Sequence, residues 1–241
     1  MTESVLITGA TSGIGKQLAL DYALAGWKVI ACGRNQAVLS KLEASSQNIA
    51  TLRFDITDYE QTQTVLNALP FTPETWLFNA GDCEYMDDGF VDAQLMARVM
   101  NVNVVGVANC VEACQSQFER GHRVVIVGSI ASEIALPRAE AYGASKAAVS
   151  YFARTLAVDL KAKGIKVVTV FPGFVETPLT DKNTFDMPMI ISVNQASEAI
   201  RKQLDAGKSY IYFPARFTGI LRFISLLPYS WQARLTAKLV S

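Results

Sequence analysis

Short runs of β-branched and aromatic residues recur along the chain without polar alternation. They are Ser4–Thr8, Lys28–Cys32, Ile49–Phe54, Thr75–Phe78, Arg123–Val127, Lys166–Phe171 and Tyr210–Phe213. In Val124-Val125-Ile126-Val127 every side chain is apolar, so both faces of that strand need cover. Between the runs lie stretches with helical spacing. Leu18, Tyr22 and Ala25 mark the first, Val38, Leu42 and Ser45 the second, and Val65, Leu66 and Leu69 the third. Longer ones cover about residues 91–118, 142–163 and 195–206. Strand followed by helix, with no hairpin signal, calls for parallel strands joined by crossovers. The pattern predicts an α/β protein: one doubly wound parallel sheet of about seven strands, helices on both faces, a single domain over residues 1–241.

Directly after the first run comes Thr8-Gly9-Ala10-Thr11-Ser12-Gly13-Ile14-Gly15, and then a helix. Gly9 suits a tight turn, Gly13 a close approach of backbone to a pyrophosphate, and Gly15 the packing of helix on strand. The helix N-terminus offers free N–H groups and a partial positive charge to phosphate. The second run ends Ala31-Cys32-Gly33-Arg34-Asn35. In a dinucleotide fold an acidic side chain here bonds the adenosine ribose, whereas an Arg accommodates a 2′-phosphate. Gly33 removes repulsion, and Arg34 can add charge-assisted bonds of about 1.5–3 kcal/mol. NADP(H) is expected in preference to NAD(H).

Ser129 closes a buried strand at its carboxyl end, where open α/β sheets bind ligands. Tyr142 and Lys146 are four apart at the start of a helix and share a face. An ammonium near a phenol favours phenolate, so a lowered Tyr142 pKa is expected. Such a phenol can exchange a proton with a carbonyl or alcohol oxygen. His122 precedes a strand at the opposite edge and reads as a surface residue, and the chain around Ser129 lacks G-x-S-x-G. A serine hydrolase is disfavoured on that geometry.

The T-G-x3-G-x-G loop, Tyr142-x3-Lys146 and Ser129 thirteen residues before Tyr142 together resemble the short-chain dehydrogenase/reductase family, over residues 4–180. The resemblance implies a Rossmann sheet and a catalytic set of Asn103, Ser129, Tyr142 and Lys146. Tyr142 would be the general acid/base, Lys146 would hold the ribose, Ser129 would position the substrate oxygen, and Asn103 would support Lys146 through water. Asn101 and Ser132 are rivals for Asn103 and Ser129. The implied cofactor site comprises Gly9, Thr11, Ser12, Gly13, Ile14 and Gly15 of the loop, with Arg34. It continues with Asp55 at the adenine amino group, Ile56, and Asn79-Ala80-Gly81. Phe78 stands where the family often has Asn. Tyr142, Lys146, Pro172, Gly173, Val175 and Thr177 complete it near the nicotinamide. Asp58 reads instead as a helix cap. The activity implied is hydride transfer between NADP(H) and a carbonyl or alcohol of a small molecule, by a homodimer or homotetramer. The alternatives are a non-catalytic dinucleotide sensor and an epimerase or dehydratase of the extended relatives. The short part after residue 180 leaves little room for a nucleotide-sugar domain.

Residues 174–193, with Phe174, Leu179, Phe185, Met187, Met189, Ile190 and Ile191, read as a substrate lid over an apolar pocket. The charge balance is 22 basic against 22 acidic residues, which argues against a nucleic-acid coat. That neutrality hides an asymmetry, because residues 206–241 carry Lys208, Arg216, Arg222, Arg234 and Lys238 and no acid. In the helical segment 215–241, Phe217, Leu221, Ile224 and Leu227 share one face; after Pro228, Trp231, Leu235 and Leu239 continue in a second helix. A pocket wall or subunit interface, a weak membrane-surface contact and plain packing all remain open for it. Cys32, Cys83, Cys110 and Cys114 are too few for a disulfide scaffold, and one His excludes multi-His metal sites. No signal-peptide pattern opens the sequence, and a cytoplasmic protein with reduced thiols is expected.

Overall fold

In the computed structural model, which describes residues 3–87, 89–181, 183 and 185–237, seven parallel strands form one sheet in the order β3-β2-β1-β4-β5-β6-β7. The strands are β1 (Ser4–Thr8), β2 (Lys28–Gly33), β3 (Ile49–Arg53), β4 (Thr75–Phe78), β5 (Arg123–Val127), β6 (Lys166–Pro172) and β7 (Tyr210–Phe213). The helices between them are α1 (Gly13–Leu24), α2 (Gln36–Ser45), α3 (Tyr59–Leu66), α4 (Ala93–Met100), α5 (Gly106–Cys114), α6 (Glu140–Lys161) and α7 (Val193–Asp205). Two more, α8 (Ala215–Ser225) and α9 (Tyr229–Thr236), close the described chain. The chain order reverses between β1 and β4, which opens a crevice at their carboxyl ends.

The unbroken apolar runs are explained by two cores. Val125 and Val127 of β5 point into one, with Leu18 and Tyr22 of α1 and Ile200 of α7. Val124 and Ile126 point into the other, with Val107 and Val111 of α5 and Val149 and Ala153 of α6. Asp58 caps α3 by accepting from the Gln61 amide, as its position suggests. The long helix expected over 91–118 is two helices, because a π turn at Asn101–Val105 separates α4 from α5.

His122 departs from expectation. It is buried beneath the amino end of β5, where its Nδ1 accepts from Trp76 Nε1 at 3.3 Å and from the Glu119 amide at 3.1 Å. Burial lowers its pKa, and the two donors favour the neutral ring. It lies at the far edge of the sheet from the crevice. The apolar face expected of the last helix is also reversed. Gln232 and Thr236 of α9 are buried, whereas Trp231 and Leu235 are exposed. Lys238 and Leu239 lie outside the described residues.

Candidate active site

The carboxyl ends of the strands open on a cleft of about 460 Å³. Each residue expected at the dinucleotide lines it, with the exception of Gly15. Gly15 lies behind the loop, where a Cβ would stand 2.4 Å from the Gly9 carbonyl oxygen. Gly9 and Gly13 have φ of 69° and 50°, a conformation that glycine adopts without strain. Ser12 caps α1 without a side-chain bond, so its hydroxyl and the first-turn amides are available to an anion. The Asn79 amide group spans the loop, donating to the Thr8 carbonyl at 3.1 Å and the Gly9 carbonyl at 3.4 Å. Asn79 therefore buttresses the loop as well as lining the cleft. The residues present fit a dinucleotide: a glycine loop on a helix N-terminus, a cation at one end and Tyr142 at the other.

At the end that would take the adenosine, Gly33 leaves no room for a side chain, because its Cβ would lie 2.6 Å from Thr11 Cγ2. Arg34 is exposed and pairs with Asp55 at 3.3 Å. Burial alone would raise Asp55, but the Thr57 amide and hydroxyl, and then Arg34, bring its carboxyl below the ordinary value. A pair this exposed is worth about 0–1 kcal/mol, so Arg34 can turn to a phosphate at small cost.

At the other end, Tyr142 and Lys146 occupy the first two turns of α6. Tyr142 and Ser129 line the same cavity, and the Ser129 hydroxyl acts to lower the Tyr142 pKa. Lys146 Nζ donates to the Val127 carbonyl at 3.0 Å and lies 5.8 Å from the Tyr142 ring centre. Ser132 turns away and donates to the Ser129 carbonyl at 2.7 Å. Asn103 does not line the cleft. It sits in the π turn, accepts from the Asp82 amide at 2.7 Å and donates to the Asp82 carbonyl at 2.8 Å and to Ser145 Oγ at 2.9 Å. It thus joins the π turn to the β4 loop and to α6, beside Lys146. π turns recur at functional sites.

The expected lowering of the Tyr142 pKa does not hold here. Burial pushes the phenol well up, with nearby Cys83 adding to the rise, and Ser129 only partly opposes it. Burial also brings Lys146 down from 10.5 to about 8. Desolvation acts on both groups, and the ammonium is bonded to a carbonyl and not to the phenol. Tyr142 is therefore protonated at neutral pH.

A second cavity of about 290 Å³ adjoins the cleft, and both are lined by Tyr142, Gly173, Leu179 and Thr180. Ser129 opens into this second space. Its wall is aromatic: Tyr85 meets Phe185 edge-on at 5.4 Å, and Phe174 meets Phe217 at 5.2 Å. Phe174, Leu179 and Phe185 of the expected lid line it, but Met187, Met189, Ile190 and Ile191 do not. Ile191 instead bridges Val175. Lys182 and Thr184 lie outside the described residues. Sequence reasoning missed Tyr85, Cys83 and Arg138, which stand on loops without periodicity. Arg138, at φ 66°, pairs with Asp87 at 2.7 Å and lies 5.5 Å from the Phe185 ring centre. Phe217 reaches the cavity from α8, so that helix is a pocket wall. A Cβ on Gly173 would lie 2.7 Å from its ring, which is why glycine stands there.

Residues 3–187 match the model of a family described as short chain dehydrogenase. An uncharacterized oxidoreductase of Myxococcus xanthus is 32% identical over 235 residues, covering 93% of this chain and 92% of that one. Sulfoacetaldehyde reductase 2 of Chromohalobacter salexigens is 34% identical over 190 residues, 75% of each chain. Among solved structures, a short chain dehydrogenase from Burkholderia cenocepacia in complex with NADP superposes with a TM-score of 0.83 at 25% identity, covering 100% of this chain and 98% of that one.

Proposed function

The chain belongs to the short-chain dehydrogenase family, and from that premise we propose that it reduces the carbonyl of a small apolar molecule with NADPH, with Tyr142 as proton donor. One observation carries the proposal: Tyr142 stands where a dinucleotide cleft meets an aromatic cavity, with Ser129 lining that same cavity. A dinucleotide sensor would need no proton donor at this junction.

Bound in the cleft, a nicotinamide dinucleotide would supply the hydride. The glycine loop from Gly9 to Ile14 and the N-terminus of α1 would hold its phosphates. Asp55 and Ile56 would flank the adenine, and Asn79-Ala80-Gly81, Pro172, Gly173, Val175 and Thr177 would line the way to Tyr142. Lys146, two turns into α6, would hold the ribose. Arg34, following Gly33 at the position of the acidic residue, favours the 2′-phosphate and thus NADP(H); one structural relative was solved in complex with NADP and another in complex with NAD. Ser129 would hold the carbonyl oxygen while the Tyr142 hydroxyl gives it a proton. Asn103, through Ser145 and the Asp82 loop, keeps α6 and Lys146 in place.

The stretch 174–193 serves as the substrate lid through Phe174, Leu179 and Phe185. Arg138 could attract an anionic substrate, such as the sulfonate that the Chromohalobacter relative's name implies, but it is already paired with Asp87 and packed between two rings. The aromatic wall supports an apolar carbonyl. Exposed Val105, Tyr151 and Val158 on α6 and the π turn suit a homo-oligomeric contact. A cytoplasmic setting suits four buried cysteines, none of them in a disulfide.

The test is NADPH consumption against ketones, aldehydes, quinones, steroids and small anionic keto acids, by wild-type protein and Tyr142→Phe. The expected outcome is turnover of an apolar carbonyl that falls at least a thousandfold in Tyr142→Phe, with NADPH binding kept. Undiminished turnover in Tyr142→Phe would remove it as proton donor. Faster turnover of charged keto acids than of any apolar carbonyl would overturn the substrate class.

A further inference from the structure

The last two helices are built with one face inward and one left bare. On α8, Phe217 and Leu221 are buried against Ile130 and Ile134 beside the aromatic cavity. On its outer side Ile220 is 51% exposed and Phe223 68%, and Leu226 just beyond it is 82% exposed. On α9 the polarity is inverted. Gln232 is buried and donates to the Ser225 carbonyl at 3.0 Å and the Leu227 carbonyl at 2.8 Å, which satisfies the end of α8. Thr236 is buried too, and donates back to the Gln232 carbonyl at 3.0 Å. Those inward polar groups turn Tyr229, Trp231 and Leu235 outward, at 88%, 58% and 39% exposed. Isolated exposed apolar residues need no explanation, but six of them on two successive short helices mark a contact surface.

The charge around this face says what the contact is. Arg216, Arg222 and Arg234 are exposed on the same two helices, and residues 206–241 contain no Asp or Glu. A second copy meeting this face by the same face would bring like charges together. Arg with Trp, Tyr and Phe is the composition that settles at the boundary of headgroups and acyl chains. Among the described residues no helix is long and apolar enough to cross a membrane, so the contact would lie on the surface. We propose that the outer face of α8 and α9 seats the protein on an anionic lipid bilayer, with Phe223, Leu226 and Trp231 entering the headgroup boundary and Arg216 and Arg234 meeting the lipid phosphates.

The inner side of α8 walls the cavity, so a seated molecule would hold that cavity about 10 Å, one helix thickness, from the bilayer. That the bilayer then supplies an apolar carbonyl rests on the reductase reading; the docking itself does not.

Trp231 gives a direct probe, because Trp27 and Trp76 are buried. Full-length protein, without cofactor or substrate, is mixed with vesicles of phosphatidylcholine alone or with phosphatidylglycerol. The expected result is co-sedimentation with the phosphatidylglycerol vesicles, a blue shift of tryptophan emission, and loss of both at high salt. The double variant Phe223→Ser/Trp231→Ser should weaken binding at least tenfold by co-sedimentation, with an unchanged melting temperature. Charge reversal at Arg216→Glu/Arg234→Glu should do the same while keeping Trp231 as reporter. Failure of wild-type protein to bind either vesicle, or to show the shift, would overturn the proposal. So would a light-scattering result in which wild-type protein is an oligomer that Phe223→Ser/Trp231→Ser converts to monomer, since the face would then belong to a second copy.

Discussion

Lys146 sits in the protein at a measurable disadvantage. Burial holds its pKa at about 8 against an ordinary 10.5, so the folded state binds its proton less well than the unfolded state. The destabilisation is fully present below pH 8 and disappears as pH rises through the unfolded value. Lys146→Met should therefore raise stability at pH 7 by about 1–3 kcal/mol, less at pH 10, and remove turnover; chemical denaturation at the two pH values checks it. Tyr142 has the opposite sign: its folded pKa is raised, so its contribution is lost only as pH climbs above 10. In the free protein, ultraviolet difference titration of wild type against Tyr142→Phe should show no phenolate from Tyr142 below pH 10. Phenolate near pH 7 would contradict the protonated donor. At the other end of the cleft, Gly33 and Thr11 act together. Gly33→Asp alone should weaken both dinucleotides, because its Cβ meets Thr11 Cγ2. Adding Thr11→Ala should restore NADH binding, and Arg34→Ala should cost NADPH roughly ten- to a hundredfold in affinity with little change in Tm. Calorimetric titration with both dinucleotides checks all three.

At the scale of elements, strands and glycine loop were legible because each depends on local pattern: apolar on both faces, then glycine at fixed spacing. The π turn at Asn101–Val105 was not, since one residue inserted in a helix leaves the apolar spacing nearly unchanged. Asn103 within it is singled out by the family likeness alone. The aromatic cavity was half legible. Phe174 and Phe185 belong to a long loop after the Pro172-Gly173 turn, but Tyr85 and Arg138 come from two other loops that only the fold brings together. The second helix of the tail misled, because Gln232 and Thr236 face inward to satisfy the carbonyls at the end of α8. Element packing also makes a prediction. Gly173→Ala should push Phe217 into the cavity and raise KM for a bulky substrate about tenfold. Gly173→Ala/Phe217→Leu should recover most of that loss; steady-state kinetics of both variants decides.

At the scale of the whole molecule, a neutral sum conceals two parts. Residues 1–205 hold five more acids than bases, and residues 206–241 five bases and no acid. The sheet places the dinucleotide cleft over its carboxyl ends, and α8 closes the adjoining cavity with the basic part. Sequence order alone conveyed the sheet and the glycine loop of the cleft, whereas the set of Asn103, Ser129, Tyr142 and Lys146 rests on the family likeness. It could not convey which face of the tail looks outward. The central claim is hydride transfer into a carbonyl held at Tyr142. It is tested most directly with NADPH deuterated at the transferring position of the nicotinamide and the best apolar carbonyl from the substrate panel. The account predicts an alcohol product one deuterium heavier by mass spectrometry, formed in step with NADP+. Deuterium retained in the cofactor, or absent from the alcohol, would contradict it.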